Sequence, residues 1–256
     1  SAEYVDLTID LMKKFGVEVN RDGNKFKVKT GQRYKAMNFD TPSDWASSNY
    51  FLAAAAIVPG TIRIKNLDIN SKQPESKFLR LLEKMGCKVS INDGTVELTG
   101  AKKLRAINVD MSSMPDSVQT LAIAALFADG TTKIRNISNL KFKESDRIKD
   151  TATELRRLGA DVKVDKSSIE IRKSKIKPAI IEPHNDHRMA MSFAIAGLKI
   201  PGIKIKSFEC VNKSFPQFLE KLSELRAQIK VTKNIVLIGY RGAGKTSIAK
   251  WLSKYY

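Results

Sequence analysis

Three short polar clusters hold the residues best suited to acid–base and anion-binding chemistry. The first, Ser113-Met114-Pro115-Asp116-Ser117, places a carboxylate directly after a proline, a residue suited to the first turn of a helix. The positive end of that helix would favour the ionised aspartate and make Asp116 a candidate base, although an ordinary helix cap explains the same residue. In Asn139-Leu140-Lys141-Phe142-Lys143-Glu144-Ser145-Asp146-Arg147, Lys143 and Arg147 stand four apart; on one helix they would share a face and offer two cations to an anion. Glu144 beside them is a candidate acid, yet such a charge run is commonly a solvated first turn. The third cluster, Asn185-Asp186-His187-Arg188, precedes a wholly apolar stretch and so belongs at the mouth of the core. A lone histidine such as His187 serves more often as a structural hydrogen-bonder than as a catalyst. Lys213, in Asn212-Lys213-Ser214-Phe215-Pro216, adds a further cation.

A repeated passage with a period of about 70 residues positions these clusters. Each copy opens with an aspartate before an alanine-rich helix: Asp44 ahead of Tyr50-Phe51-Leu52-Ala53, Asp116 ahead of Leu121-Ala122-Ile123-Ala124, and Asp186 ahead of Met189-Ala190-Met191-Ser192. Gly60, Gly130 and Gly202 are expected to break the three helices, each followed by an alternating strand such as Thr61-Ile62-Arg63-Ile64. A second amphipathic helix then ends in leucine and glycine, at Leu82 to Gly86 and Leu155 to Gly159, and two short strands close the unit. The pattern predicts an α/β fold of three βαβαββ repeats with approximate threefold symmetry, the last strand falling near residues 229–231. Leu11 to Val17 matches the late part of a unit, so the sequence reads as starting inside a unit whose first half lies upstream. Polar clusters at equivalent points of a repeat are hard to explain as unrelated caps.

Met114-Pro115-Asp116, Lys143-Glu144-Ser145-Asp146-Arg147, Asn185-Asp186-His187-Arg188-Met189-Ala190-Met191 and Lys213-Ser214-Phe215-Pro216 together resemble the signatures of EPSP synthases, over roughly residues 1–230. The resemblance implies transfer of the enolpyruvyl group of phosphoenolpyruvate to the 5-hydroxyl of shikimate 3-phosphate, by addition and elimination through a tetrahedral intermediate, with no metal or organic cofactor. It implies that Asp116 takes the 5-hydroxyl proton and that Glu144 handles the proton at the enolpyruvyl methylene carbon. Ser1, Tyr4, Asn139 and Lys143, with Asp116, would contact shikimate 3-phosphate. Arg147, Arg188 and Lys213 would hold the phosphate and carboxylate of phosphoenolpyruvate, with His187 supporting the clamp. The same resemblance divides the chain. Residues 1–39 would finish an N-terminal domain whose remainder lies upstream and acts as a partner, and residues 40–231 would form a C-terminal domain, one wall of an interdomain cleft.

A second resemblance begins at Asn234. The apolar run Asn234-Ile235-Val236-Leu237-Ile238 leads into Gly239-Tyr240-Arg241-Gly242-Ala243-Gly244-Lys245-Thr246, a complete G-x-x-x-x-G-K-T phosphate loop with helix formers behind it. It is similar to the loop of shikimate kinase, so residues 234–256 are expected to be the truncated opening of such a domain. Gly242, Ala243, Gly244, Lys245, Thr246 and Ser247 would cradle ATP phosphates, and Thr246 would ligate magnesium, Mg-ATP serving only a completed kinase part. The remaining strands and second acidic ligand that a phosphate loop needs are not in the sequence that follows.

Composition narrows the alternatives. With 256 residues, 42% of them hydrophobic, the chain can bury a core, and its longest apolar run, Tyr50 to Pro59, is about half of a membrane span. Cys87 and Cys210 show neither a C-x-x-C pairing nor a nearby histidine, which argues against a disulfide framework or zinc site and fits a reducing cytoplasm. A net charge of +18 is also the mark of nucleic-acid binders. Here the lysines are spread along the chain, often beside acids as in Glu83-Lys84, and no basic stretch is interleaved with stacking aromatics. The expected partners are small anionic substrates, with neither nucleic acid nor membrane. Two rivals stay open: an enolpyruvyl transferase acting on UDP-N-acetylglucosamine, which shares the repeat fold, and a basic nucleotide- or nucleic-acid-binding module.

Overall fold

The computed structural model describes residues 2–58, 60–229 and 236–238. Helix α1 (Ala2–Lys14) is followed by a small antiparallel hairpin of β1 (Val19–Asp22) and β2 (Lys25–Val28). The next passage runs α2 (Trp45–Ile57), β3 (Thr61–Ile64), a 3-10 turn at Pro74–Lys77, α3 (Phe78–Lys84), β4 (Lys88–Asn92) and β5 (Thr95–Thr99). Strand β5 lies between β3 and β4, antiparallel to both.

After β6 (Leu104–Arg105) and β7 (Asn108–Asp110) come a 3-10 turn at Pro115–Ser117, α4 (Val118–Ala125), β8 (Ala128–Asp129) and β9 (Thr131–Arg135). A further 3-10 turn, Ser138–Phe142, leads into α5 (Arg147–Arg157), β10 (Asp161–Val164) and β11 (Ile169–Arg172). These form a four-stranded sheet, β10-β11-β9-β7, in which only the β7–β9 pair is parallel; β6 and β8 make a short parallel pair of their own. The final passage is β12 (Ile180–Ile181), α6 (His187–Ala196), β13 (Lys204–Lys206), a 3-10 turn at Phe208–Lys213, α7 (Phe218–Ile229) and β14 (Val236–Ile238), with β12, β13 and β14 parallel.

Three helices make the centre. α2, α4 and α6 pack against one another, and each also lies on its own sheet. Every residue of α4 is buried, as is all of α6 except Arg188, so these helices are apolar on all sides rather than amphipathic. α5 is the contrasting case, with Ile148, Ala152 and Leu155 buried and its other flank charged.

The recurring aspartates do not all do one job. Asp44 caps α2 by accepting from Ser47 N at 2.8 Å, and Asp186 caps α6 by accepting from Arg188 N at 2.8 Å. Asp116 lies inside the 3-10 turn before α4 and makes no capping bond, which leaves its carboxylate free for other partners.

Three expectations are corrected. α2, α4 and α6 end at Ile57, Ala125 and Ala196, several residues before Gly60, Gly130 and Gly202. Gly130 and Gly202, with φ of +105° and +92°, instead turn the chain into β9 and β13. Ile229, expected to open a strand, is the last residue of α7, because its helical run from Phe218 is not interrupted. The glycine that packing does demand is Gly100, where an added Cβ would lie 2.1 Å from the Ala55 carbonyl oxygen. Gly100→Ala must therefore push β5 away from α2 and is expected to destabilise by about 1–3 kcal/mol in a urea melt. Unchanged stability would show that the two elements separate freely.

Candidate functional site

The site is built around one arginine. Arg147 opens α5, where Asp146 caps the helix by accepting from Lys149 N at 3.1 Å, and the side chain points inward with 1% exposure. Its Nε donates to Asp186 Oδ2 at 2.6 Å and its Nη2 to Asp186 Oδ1 at 3.3 Å, a two-point grip on a carboxylate that is itself fully buried. Nη1 donates to Asp116 Oδ1 at 3.0 Å, and Nη2 also donates to Glu144 Oε2 at 2.6 Å. One guanidinium thus joins the starts of α5 and α6 and the turn before α4.

Further cations gather on the outward side of this knot. The Asp116 carboxylate is 3.0 Å from Arg188 Nη2 and 3.7 Å from Lys143 Nζ, so with Arg147 it is shared by three cations. Lys213 Nζ donates to Glu144 Oε1 at 2.9 Å. Exposure falls from 59% at Lys213 through 20% at Asp116 to 1% at Arg147, so the cluster forms a graded wall in which Asp116, Glu144 and the outer cations are open to a ligand and Asp186 is not. Lys143 is not on the helix of Arg147, since α5 begins four residues later. The two cations meet because the chain bends between them and both reach Asp116, not because they share a helix face.

Partial burial alone would raise the Glu144 carboxyl, but the Lys213 hydrogen bond and the Arg147 charge outweigh it and pull the group down to about 2. A carboxyl held below its ordinary value of about 4.3 contributes stability in full above that pH. The contribution is lost as pH falls from about 4.3 toward 2 and is gone below that. Glu144→Gln is expected to flatten that part of the stability-against-pH curve, read by urea melts between about pH 5 and 2.5. An identical acid limb in both proteins would show that Glu144 is not held by these cations.

His187 is buried beside the knot, its Nδ1 3.9 Å from Asp186 Oδ1. Burial and the Arg188 charge lower its pKa, which favours the neutral ring. Asn139 is exposed on its 3-10 turn and makes no hydrogen bond to the cluster among the described residues. Tyr4, on α1, donates its hydroxyl to Glu75 Oε1, and the charges of Asp116 and Arg188 act on that hydroxyl in opposite directions. Ser1 and the phosphate-loop residues Gly242, Ala243, Gly244, Lys245, Thr246 and Ser247 lie outside the described residues. A groove of about 770 Å³ between the start of α2, β3 and α7 contains none of the cluster, although Ser214 and Phe215, next to Lys213, line it.

Glu75 did not stand out among the charged residues of the sequence. A signal was present: Pro74-Glu75-Ser76 echoes Pro115-Asp116-Ser117, and both triplets form 3-10 turns directly before a helix. Asn49 ties the two turns together by donating from Nδ2 to the Glu75 carbonyl at 3.0 Å and to Ser117 Oγ at 3.1 Å.

The sequence model for EPSP synthase (3-phosphoshikimate 1-carboxyvinyltransferase) matches residues 1–222. The chain belongs to the EPSP synthase family. A 3-phosphoshikimate 1-carboxyvinyltransferase of Nostoc punctiforme is 44% identical over 229 residues, which is 89% of this chain and 54% of that protein. One from Escherichia coli is 42% identical over 228 residues, 88% of this chain and 53% of the other. The chain therefore spans about half the length of the curated relatives it matches.

Among solved structures, EPSP synthase from Acinetobacter baumannii superposes with a TM-score of 0.75 at 29% identity, covering 84% of this chain and 53% of that one. The enolpyruvyl transferase NikO from Streptomyces tendae, at 19% identity and a TM-score of 0.67, covers 86% of this chain and 52% of its own and shares the fold. EPSP synthases need no cofactor. Among the described residues no helix is long and apolar enough to cross a membrane.

Proposed function

We propose that this chain supplies one wall of an EPSP synthase active site, where enolpyruvyl transfer from phosphoenolpyruvate to the 5-hydroxyl of shikimate 3-phosphate takes place. The observation that carries this reading is the sharing of Asp116 among Lys143, Arg147 and Arg188, with Glu144 held by Arg147 and Lys213. Two polyanionic substrates need several cations side by side, and here carboxylates occupy the positions that substrate phosphate and carboxylate would contest. Asp116 is the general base for the 5-hydroxyl, and Glu144 exchanges the proton at the methylene carbon. Arg188 and Lys213 reach the second substrate directly. Arg147 has four of its five N–H donors on Asp186, Asp116 and Glu144, so it would offer the second substrate the remaining Nη1 N–H, and a further donor as Asp116 or Glu144 yields one.

In this reading residues 1–39 belong to the neighbouring domain, residues 40–231 form three βαβαββ repeats about an approximate threefold axis, and an upstream half provides the opposite wall. Residues 234–256 are the start of a shikimate kinase domain on the strength of their phosphate loop.

The test is phosphate release from phosphoenolpyruvate by the protein extended upstream to the length of its relatives. Turnover is expected with shikimate 3-phosphate and not with UDP-N-acetylglucosamine, and the purified 256-residue chain alone is expected to show none. Turnover with the nucleotide sugar, or by the 256-residue chain alone, contradicts the reading. For the C-terminal segment, calorimetry with Mg-ATP should show no micromolar binding; such binding, abolished by Lys245→Ala, would mean that the loop already works without the rest of a kinase.

A further inference from the structure

Glu75 is a fully buried acid with no ion-pair partner among the described residues. Charged side chains are rarely buried unless paired, so its position calls for a reason. Its carboxyl Oε1 accepts from the Tyr4 hydroxyl, while Oε2 has no partner among the described residues. Its backbone carbonyl is held by Asn49, whose amide also holds Ser117, the neighbour of Asp116. Two exposed ion pairs flank the contact and align α1 with the same turn: Lys72 Nζ to Asp10 at 2.7 Å and Lys77 Nζ to Glu3 at 2.6 Å. Exposed pairs of this kind contribute little, so the half-buried Tyr4–Glu75 bond is what sets the ring's place.

We propose that Glu75 is a positioning residue that fixes the Tyr4 ring at the wall of the substrate site, with Asn49 keeping its turn in register with that of Asp116. Burial raises the Glu75 carboxyl above its ordinary value, opposed by the Tyr4 hydrogen bond. Burial and then Glu75 likewise raise the Tyr4 hydroxyl, which stays protonated and donating. The substrate side of this inference rests on the proposed function; the positioning of Tyr4 does not.

Two readouts keep these apart. In protein labelled at the tyrosine ring Cζ, the Tyr4 resonance is assigned by its loss in Tyr4→Phe. It is expected to move in Glu75→Leu, to stay near its wild-type place in Glu75→Gln, which keeps an acceptor oxygen, and to leave Tyr34 and Tyr50 unmoved. A Tyr4 signal indifferent to Glu75→Leu overturns the proposal. In the protein extended upstream, Glu75→Leu and Tyr4→Phe are each expected to raise KM for shikimate 3-phosphate about tenfold, with kcat within about threefold, and the double variant to be no worse than the larger single. Additive KM effects, or a fall in kcat alone, overturn it as well. If wild-type protein shows no response to shikimate 3-phosphate, the proposed function fails and the Tyr4 resonance still decides whether Glu75 positions the ring.

Discussion

Arg147→Met is expected to destabilise the protein by about 3–5 kcal/mol, the loss typical of removing one partner from a buried ion pair. Methionine fills a similar volume, so the effect comes from charge rather than from a cavity. The substitution strands Asp186, which is fully buried and among the described residues keeps only its capping bond from Arg188 N, and removes the guanidinium between Asp116 and Glu144. Arg147→Lys retains a cation but cannot reach Asp186 twice and Asp116 and Glu144 as well, so it should fall between the two. Removing both members of the innermost pair, Arg147→Met with Asp186→Asn, is expected to recover part of the loss, because a buried pair contributes little net of its desolvation and asparagine can still cap α6. Urea melts of the three variants measure this. A loss under about 1 kcal/mol for Arg147→Met would mean that water or relaxation satisfies the acids and that the knot is not a structural centre.

What could be read in the sequence divides along physical lines. Asp44 and Asp186 cap helices through bonds to residues two or three positions ahead, and local bonds of this kind are visible in local sequence, whereas the spacing of Lys143 and Arg147, read as one helix, hid the Asp146 cap. The pattern of central helices and amphipathic partners was visible for the same reason. The meeting of Lys143 with Arg147 was expected from helical spacing, yet it happens through Asp116, which lies 31 residues from Arg147. Spacing rules could not show that, because it depends on how three turns converge.

The burial of Arg147 was equally hidden. A charge run ordinarily marks a solvated turn, and only the arrival of Asp186, 39 residues away, makes an inward arginine tolerable. Glu75 was obscured by its neighbours Lys72 and Lys77, which give its turn the look of open surface although Glu75 itself has no exposure. The helix breaks were placed late because α2 and α4 are capped by Val58 and Leu126 rather than by glycine, and α6 is capped by Gly197, ahead of the more prominent Gly202.

Asp116→Asn, in the protein extended upstream, is expected to lower kcat by a factor on the order of 10² or more while KM for phosphoenolpyruvate holds or falls. The fold permits so selective an effect. Asp116 makes no capping bond to α4, its turn is held instead by the buried Asn49–Ser117 contact, and asparagine keeps the shape of the side chain. What changes is the charge between Lys143, Arg147 and Arg188. With that charge removed, the three cations are released to an incoming anion, which should improve binding of phosphate or carboxylate even as the base for the hydroxyl proton is lost. A helix cap or a simple scaffold residue would behave in the opposite way: stability and binding would fall together, with turnover at saturating substrate largely kept. Steady-state kinetics alongside a urea melt separates the two. Unchanged kcat with a raised KM would remove Asp116 from the chemistry and leave it as an organiser of the cations.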